Sequence, residues 1–226
     1  MTDETLIEVQ HLTKSFVAAS NFFGKPTSFV QAVDDVSFSI KKGEAFGLVG
    51  ESGCGKTSMG CSILRMPSPP GRYEGGKVVM GGRDILPLPE KEVRKDIRWE
   101  EISMVFQGAM NCLTPVYTIG KQMLETLMEH RPMDKPQAEE LIKEYLGLVG
   151  LPPEVAQRYP HELSGGMKQR IVIATALFLK PKVVILDEPT TALDVIVQAQ
   201  IINLLKKLKK TFDLSFIFIT HDLALE

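Results

Sequence analysis

The alternation of apolar and polar residues predicts β-strands near the beginning of the chain. Residues 6–16 and 33–40 both alternate with the period of two that a half-buried strand shows. The segment between them, residues 17–32, carries Gly24, Pro26 and small polar residues, so we predict that it forms a long hairpin loop. Shorter apolar runs predict further strands at residues 45–49, 77–80, 102–106, 183–186 and 214–220.

Apolar residues spaced three and four apart predict helices in the rest of the chain. The predicted helices are residues 56–66, 119–131, 136–147, 168–179 and 195–212. Prolines and glycines in residues 67–76 end the first of them. The continuous apolar run at residues 183–186 is typical of a central strand in a parallel sheet. Residues 111–161, with two helices and several prolines, predict a helical subdomain inserted in an α/β core.

Composition places the chain among ordinary globular proteins. It has 226 residues, and its formal net charge of -2 gives no basic excess that would favour nucleic acid as the main partner. No apolar run reaches the roughly 18 to 20 residues that a membrane span needs, and the acidic start of the chain lacks a signal peptide. Cys54, Cys61 and Cys112 form no C-x-x-C pair, so we expect a reducing compartment, the cytoplasm.

One segment carries a phosphate-binding pattern. It follows the strand predicted at residues 45–49 and precedes a helix, which is the context that the pattern G-x-x-x-x-G-K-[ST] requires. Glycines let consecutive N–H groups point at phosphate oxygens, Lys56 supplies a charge to the β- and γ-phosphates, and the Thr57 hydroxyl is suited to Mg²⁺. The alternative is a glycine-rich turn that binds nothing. The residues of the segment are Gly50, Glu51, Ser52, Gly53, Cys54, Gly55, Lys56 and Thr57, with Ser58 next in the helix.

Two acidic residues follow the apolar strand at residues 183–186. A strand that delivers an acid to its C-terminal edge is how phosphate-loop enzymes hold Mg²⁺, so we expect Asp187 to reach the ion, through water. Glu188 is then expected near the γ-phosphate, where it orients or deprotonates the attacking water. An acidic pair after a strand is, taken alone, more often a turn. Here the segment Pro189-Thr190-Thr191-Ala192-Leu193-Asp194 follows it.

A second glycine-containing segment precedes the helix predicted at residues 168–179. In Leu163-Ser164-Gly165-Gly166-Met167, the hydroxyl of Ser164 is suited to cap that helix. Two glycines at a helix N-terminus also suit a phosphate group. The residues alone leave both interpretations open.

Together these segments resemble the ATP-binding cassette (ABC) transporter ATPase family, in order and spacing from Leu6 to the last residue. The phosphate loop resembles the Walker A motif, Leu163 to Met167 the LSGGQ signature, and Ile185 to Glu188 the Walker B motif with its catalytic glutamate. Gln107 resembles the Q-loop glutamine, Asp194 ends a segment similar to the D-loop, and His221 resembles the switch histidine. The resemblance implies an α/β phosphate-loop NTPase core with a parallel central sheet, an antiparallel β subdomain and an inserted helical subdomain.

The resemblance also implies a domain organisation. Residues 1–226 are expected to form a single nucleotide-binding domain, with the core in residues 1–110 and 162–226 and the helical subdomain in residues 111–161. Family members continue beyond the switch histidine with further core strands and helices. We therefore expect a C-terminally truncated cassette with low ATP turnover.

The implied mechanism uses ATP and Mg²⁺. Two cassettes are expected to pair head to tail, so that Ser164, Gly165, Gly166, Met167 and Asp194 of one chain serve the nucleotide held by the phosphate loop of the other. Glu188, His221 and Gln107 are the expected catalytic residues, and Thr57, Gln107 and Asp187 are expected to interact with Mg²⁺. Phe16 aligns with the aromatic residue that stacks on adenine; the alternative is a phenylalanine of the core.

Several features resemble one branch of the family, the ATPases of oligopeptide, dipeptide and nickel importers. Met167 in place of glutamine is typical of that branch, as are residues 190–195 and the loop with Phe22, Phe23 and Gly24. Residues 106–115 resemble the branch's FQDPMTSLNP but depart from it at several positions. They have Gly108 and Ala109 in place of Asp-Pro, and Asn111 and Cys112 in place of Thr-Ser.

The expected function is therefore ATP hydrolysis that powers uptake of di- or oligopeptides. Alternatives are the same importer type carrying oligosaccharides or nickel, a soluble ABC protein acting on nucleic acid or ribosomes, and a nucleotide-binding regulator, which would be expected to lack Glu188. The implied partners are membrane subunits, a second cassette of the same or a paralogous chain and, indirectly, an extracytoplasmic solute-binding protein. Nucleic acid is not expected as a partner. The expected location is the cytoplasmic face of the cell membrane.

Overall fold

A computed structural model describes residues 4–20, 25–66 and 71–221 of the chain. The strands are β1 (Thr5–Ser20), β2 (Pro26–Lys41), β3 (Ala45–Val49), β4 (Gly71–Met80), β5 (Arg83–Asp84), β6 (Ile102–Val105), β7 (Val183–Asp187) and β8 (Ser215–Thr220). The α-helices are α1 (Lys56–Ile63), α2 (Glu90–Glu92), α3 (Ile119–His130), α4 (Lys135–Leu148), α5 (Gly165–Ala176) and α6 (Val195–Phe212). A π-helical stretch, Val93–Ile97, continues α2, and 3₁₀ turns lie at Ala109–Cys112, Pro153–Gln157 and Pro160–Glu162.

Contacts divide the chain into two compact units. The first unit comprises residues up to 98 together with those from 215 onward, and the second comprises residues 99–214. The first unit holds an antiparallel sheet, a parallel strand pair and α1. The second unit holds another parallel strand pair and the helices from α3 to α6.

The antiparallel sheet of the first unit has the strand order β2-β1-β4-β5, so β1 is paired on both sides. Ile7 and Val9 point into the core, as period-two alternation requires, but the next buried apolar residue is Leu12. A bulge explains the change of period, because the pairing shifts between Val9 and Leu12 and His11 adopts a left-handed φ of 48°. The extra residue leaves His11 exposed, where its Nδ1 lies 2.7 Å from a carboxylate oxygen of Asp35.

The hairpin of β1 and β2 is longer than the sequence predicts. The prediction of a loop at residues 17–32 is wrong for most of that range, because Phe16 pairs with Val30 and Val17 with Phe29. Residues 26–31 of β2 are exposed, so neither face of this part of the strand is covered. No alternation of apolar and polar residues therefore marks it as a strand in the sequence. The aromatic segment with Phe22 lies outside the described residues.

The strand predicted at residues 77–80 begins earlier, at Gly71. The prediction of a break that extends through residues 71–76 is wrong, because the structure pairs these residues with β1, with Tyr73 opposite Lys14. Gly76 has a φ of 90°, and a Cβ there would fall within contact distance of the His11 carbonyl oxygen. The glycine at this position therefore allows β4 to pass the bulge of β1, and its presence does not break the strand.

Two parallel strand pairs confirm the predicted α/β character. In the first unit, β3 pairs with β8, from Ala45 opposite Phe216 to Val49 opposite Thr220. In the second unit, β6 pairs with β7, and every residue of β7 is buried, as its continuous apolar run predicts. The predicted helices are also present, although α1 ends at Ile63 and α5 begins at Gly165. Among the described residues, no helix combines the length and apolar character needed to cross a bilayer.

The helices of the second unit pack around Tyr145, which is 1% exposed. Its ring makes an edge contact with Phe178, with centroids 5.1 Å apart, and stacks on Phe212 at 6.2 Å. Within the part of the chain that the structure describes, its hydroxyl has no hydrogen-bond partner. Burial, with a smaller effect of the neighbouring Glu144 charge, raises the pKa of Tyr145 to about 12.

We predict that Tyr145→Phe stabilises the protein. A buried hydroxyl without a partner loses its hydrogen bonds to water on folding, and removing it is expected to raise the free energy of unfolding by about 1 kcal/mol. Thermal unfolding would show this as a rise in Tm of about 2–4 °C. The matched control is Tyr117→Phe, at a tyrosine that is 40% exposed, where no change is expected. A lower Tm for Tyr145→Phe would contradict the prediction.

Candidate functional site

The phosphate-loop segment forms the turn between β3 and α1 in the first unit. Gly53 and Gly55 have φ angles of 85° and 96°, a backbone conformation that other residues rarely adopt. The ammonium group of Lys56 bends back and donates hydrogen bonds to the carbonyl oxygens of Gly50 at 2.7 Å and Glu51 at 2.6 Å. Lys56 is only 9% exposed, so a fixed positive charge lies inside the curve of the loop.

The remaining loop residues surround this charge. Cys54 is exposed and its Sγ lies 3.7 Å from Nζ of Lys56. Glu51, Ser52 and Thr57 are also exposed, and Ser58 is half-buried in the first turn of α1. The first N–H groups of a helix have no partner within it, so the loop and the start of α1 together suit an anion.

Gly55 is fixed by a close approach of the antiparallel sheet. A Cβ at this position would overlap the carbonyl oxygen of Ala32 in β2. The same stretch of β2 pairs with β1, because Val30 lies opposite Phe16 and Val33 opposite Lys14. The half-buried ring of Phe16 is therefore carried by the strand next to the one that touches the loop.

His221 follows β8 directly and is exposed. Since Val49 lies opposite Thr220 in the parallel pair of β3 and β8, the next residues, Gly50 and His221, leave the pair at the same edge. The first unit thus brings together the phosphate loop, His221 and the strand that carries Phe16.

In the second unit, Gln107 and Glu188 are hydrogen bonded. Val105 lies opposite Leu186 in the parallel pair of β6 and β7. Gln107 and Glu188, each two residues further on, therefore follow the same edge of that pair. The Gln107 amide donates to Oε2 of Glu188 at 2.8 Å, and the Thr191 hydroxyl donates to the same oxygen at 2.9 Å. Two donors therefore orient the carboxylate of Glu188, which is half-buried.

Asp187 is the last residue of β7 and is 1% exposed. Its position at the C-terminal end of a buried strand is the one predicted for an acid that interacts with a metal ion. Glu188, the next residue, has a φ of 46°, so the chain turns sharply as it leaves the strand. The two acidic residues differ in burial, because Asp187 is buried and Glu188 is half-buried.

The signature-like segment begins α5. The Ser164 hydroxyl accepts a hydrogen bond from the N–H of Met167 at 3.3 Å, which makes Ser164 the N-cap, and it is exposed. A Cβ at Gly166 would lie 2.7 Å from Cγ1 of Val197, and one at Gly165 would lie 3.2 Å from Leu193. The glycines therefore let the start of α5 approach the loop after β7 and the start of α6.

Asp194 is the N-cap of α6. Its carboxylate accepts a hydrogen bond from the N–H of Val197 at 3.0 Å, and the residue is exposed. The second unit therefore arranges its predicted site residues in two groups. One joins Gln107 to Glu188, and the other joins the signature-like segment to the segment around Asp194.

Two residues beside the predicted site residues, Thr191 and Lys14, have no role predicted from the sequence. Thr191 lies three residues after Glu188 in a turn, and a hydroxyl at that spacing is a signal for a hydrogen bond to the carboxylate. Lys14 is two residues before Phe16, and the period of two puts both side chains on one face of β1. Because the bulge at His11 shifts the alternation, the sequence does not show which face of β1 is buried after it.

The metal ligands predicted from residue type offer oxygen atoms. Thr57, Gln107 and Asp187 supply hydroxyl, amide and carboxylate oxygens, which are the hard ligands that Mg²⁺ prefers. Within the described ranges, no group of three or more His, Cys, Asp or Glu is placed to hold a metal. Mg²⁺ in proteins is commonly bound by one or two carboxylates together with substrate phosphates, and the oxygen ligands that these residue types offer suit such an ion.

Comparison with known proteins agrees with this geometry. A family model described as ABC transporter matches residues 33–191. The chain is 46% identical over 222 residues to the oligopeptide transport ATP-binding protein OppD of Bacillus subtilis (strain 168), an alignment that covers 97% of this chain and 60% of that protein. It is 44% identical over 224 residues to the dipeptide transport ATP-binding protein DppD of the same organism, covering 98% and 64% respectively. The chain thus spans less than two thirds of the length of these two relatives.

A solved structure shares the fold. The dimeric post-hydrolysis state of the ATP-binding cassette MJ0796, bound to ADP and Pi, matches with a TM-score of 0.81 and 28% sequence identity. The match covers 97% of this chain and 90% of that chain. The predicted α/β phosphate-loop NTPase fold is therefore confirmed.

We predict that Gly55→Ala is much more damaging than Gly53→Ala. Both glycines have positive φ, which costs about 1–2 kcal/mol for other residues. At Gly53 a Cβ would meet nothing within 4 Å, whereas at Gly55 it would overlap the Ala32 carbonyl, so the loop or β2 must move. Thermal unfolding and binding of a fluorescent ATP analogue measure the difference. Equal losses in the two variants would show that φ alone, and not the contact with β2, constrains the loop.

Proposed function

The chain belongs to the ABC transporter family, and we propose that it is the ATP-hydrolysing subunit of an importer of di- or oligopeptides. The observation that carries the ATPase assignment is the environment of Glu188, whose carboxylate receives hydrogen bonds from Gln107 and Thr191 at the end of β7. The peptide assignment is supported by the relatives, which are named for oligopeptide and dipeptide transport.

Nucleotide binding is assigned to the phosphate loop and Phe16. The loop offers backbone N–H groups and the ammonium of Lys56 to the phosphates, at the positive end of α1. The Lys56 ammonium would exchange its bonds to the carbonyls of Gly50 and Glu51 for bonds to phosphate oxygens. Phe16 would stack on adenine, because its ring is half-buried on the strand adjacent to the one that contacts the loop.

Hydrolysis is assigned to Glu188, with His221 and Gln107 in support. The Glu188 carboxylate would accept a proton from water while the water oxygen attacks the γ-phosphorus and ADP leaves. Gln107 holds the carboxylate in place through its amide, and His221 would donate a hydrogen bond to the γ-phosphate. Bound Mg²⁺ would neutralise charge on the phosphates, and we assign Thr57, Asp187 and Gln107 to its coordination, with Asp187 acting through water.

A second cassette is proposed to complete each ATP site. Ser164, Gly165, Gly166 and Met167 form a helix N-terminus with little side-chain bulk around the exposed Ser164, which suits a phosphate presented by another chain. Asp194 caps the neighbouring helix α6 and would contribute to the same ATP site. The related cassette MJ0796 is dimeric in a structure with bound ADP and Pi, which supports pairing of this chain with a copy or a paralogue.

The proposed place of the protein is the cytoplasmic face of the cell membrane, bound to the membrane subunits of the importer. An extracytoplasmic solute-binding protein would deliver the peptide to those subunits. The test is purification of the complete protein from its native membranes, followed by mass spectrometry of what remains bound. Two polytopic membrane proteins and a solute-binding protein are expected. Recovery of ribosomal or DNA-associated proteins without membrane subunits would overturn the importer assignment.

We predict that Glu188→Gln strongly slows turnover and retains ATP binding. Glutamine keeps the size and one acceptor oxygen, so the Gln107 amide still has a partner, but glutamine does not accept the proton from water. Phosphate release is expected to fall by roughly 10²- to 10⁴-fold, and the dimer is expected to persist in ATP during size-exclusion chromatography.

The control is Glu154→Gln, which removes an exposed carboxylate elsewhere in the second unit. It should hydrolyse ATP at the unmodified rate. A Glu188→Gln variant that hydrolyses ATP as fast as this control would remove Glu188 from the mechanism.

A further inference from the structure

Lys14 is a charged residue on the buried face of the antiparallel sheet. After the bulge at His11, both Leu12 and Lys14 are buried, and Lys14 is 1% exposed. Burying an ammonium group costs free energy unless other groups compensate for the lost water.

Two aromatic rings lie beside the ammonium group. Nζ of Lys14 is 5.3 Å from the ring centroid of Phe16 and 5.1 Å from that of Tyr73. Tyr73 is directly opposite Lys14 in the pairing of β1 with β4, and the residue opposite Phe16 is Gly71, which has no side chain. Both distances are within the range of cation–π attraction, so the charge sits on the negative faces of two rings.

Tyr73 also connects this cluster to α1. Its hydroxyl donates a hydrogen bond to the carbonyl oxygen of Ser62 at 3.2 Å, and the Ser62 hydroxyl donates to the carbonyl oxygen of Ser58 at 2.5 Å. Ser58 is in the first turn of the helix that begins at the phosphate loop. A series of contacts thus runs from Phe16 through Lys14 and Tyr73 to the helix that carries the loop.

Burial acts on the ionisation of both Lys14 and Tyr73. Burial lowers the pKa of Lys14, and the nearby Cys61 side chain opposes that effect. Burial raises the pKa of Tyr73, which keeps its hydroxyl neutral and able to donate to Ser62. The position of the ammonium beside both rings is independent of these shifts.

We propose that Lys14 is a positioning residue for recognition of the nucleotide base. Its ammonium group fixes the orientation of the Phe16 ring and draws π-electron density toward itself, which favours stacking of an electron-rich purine on the other side of that ring. Tyr73 contacts the same ammonium group and links it to α1 through its hydrogen bond to Ser62. The inference rests on the proposed function, in which Phe16 stacks on adenine.

The test compares two ligands that share phosphates and differ in the base. Isothermal titration calorimetry measures the Kd of Mg-ATP and of inorganic tripolyphosphate for the unmodified chain, Lys14→Met, Lys14→Arg and Phe16→Ala. Lys14→Met keeps the length of the side chain and removes its charge. Lys77→Met, at an exposed lysine in the same sheet, is the matched control.

We expect Lys14→Met to weaken ATP binding by about 3- to 30-fold, with tripolyphosphate binding and the Lys77→Met control unchanged. Lys14→Arg, which retains a cation, should bind ATP within about twofold of the unmodified chain. Equal losses for both ligands would show that Lys14 is merely structural and would overturn the proposal, as would unchanged ATP binding in Lys14→Met. If Lys14→Met does not fold, Lys14→Gln serves the same comparison with a polar, uncharged side chain.

Phe16→Ala separates this inference from the proposed function. One outcome is that Phe16→Ala weakens binding of ATP but not of tripolyphosphate, while Lys14→Met changes the binding of neither ligand. In that case Phe16 binds the base, and only the role proposed for Lys14 is wrong. If Phe16→Ala leaves ATP binding unchanged, the assignment of the base site itself fails.

Discussion

The contact between Gly55 and the carbonyl oxygen of Ala32 is the constraint on which the first unit depends. It requires glycine at position 55, because a Cβ there would overlap β2. It also fixes the antiparallel sheet beside the phosphate loop, so that β1, paired with β2 at Val30 and Val33, brings Phe16 and Lys14 near that loop. The glycine therefore has two effects: it permits the left-handed turn of the loop, and it lets β2 approach the loop closely.

A different constraint shapes the second unit. The strand β7 is buried along its whole length, and a buried strand delivers whatever follows it to a defined edge of the sheet. Asp187 remains in the buried strand, whereas Glu188, with its positive φ, turns out of it and meets the donors from Gln107 and Thr191. A strained backbone angle at one residue thus gives two adjacent carboxylates different surroundings, which is how one fold can assign them different roles.

The parts of the fold that the sequence predicts are those with a strong local cause. The phosphate loop, the apolar run of β7 and the helix cap at Ser164 each follow from residues adjacent in sequence. The extended hairpin arm is not predictable in this way, because residues 26–31 are exposed and carry no alternation. Gly76 suggests a chain break when the local sequence is read alone. Its actual role, to let β4 run beside the bulge at His11, depends on a partner strand that is distant in sequence. The hydrogen bonds of Glu188 come from residues on two different segments, so periodicity does not reveal them.

The signature-like glycines show why packing and chemistry are hard to separate by substitution. Gly166 is in a helix N-terminus that suits a phosphate, yet a Cβ there would also come 2.7 Å from Val197. An alanine at this position would therefore disturb the start of α6, where Asp194 is the cap, even if no phosphate bound nearby. Ser164 differs, because it is exposed and its hydroxyl caps its own helix through Met167. Loss of the Ser164 hydroxyl would remove the cap of α5 together with an exposed polar group, but without the clash with α6 that a Cβ at Gly166 would create.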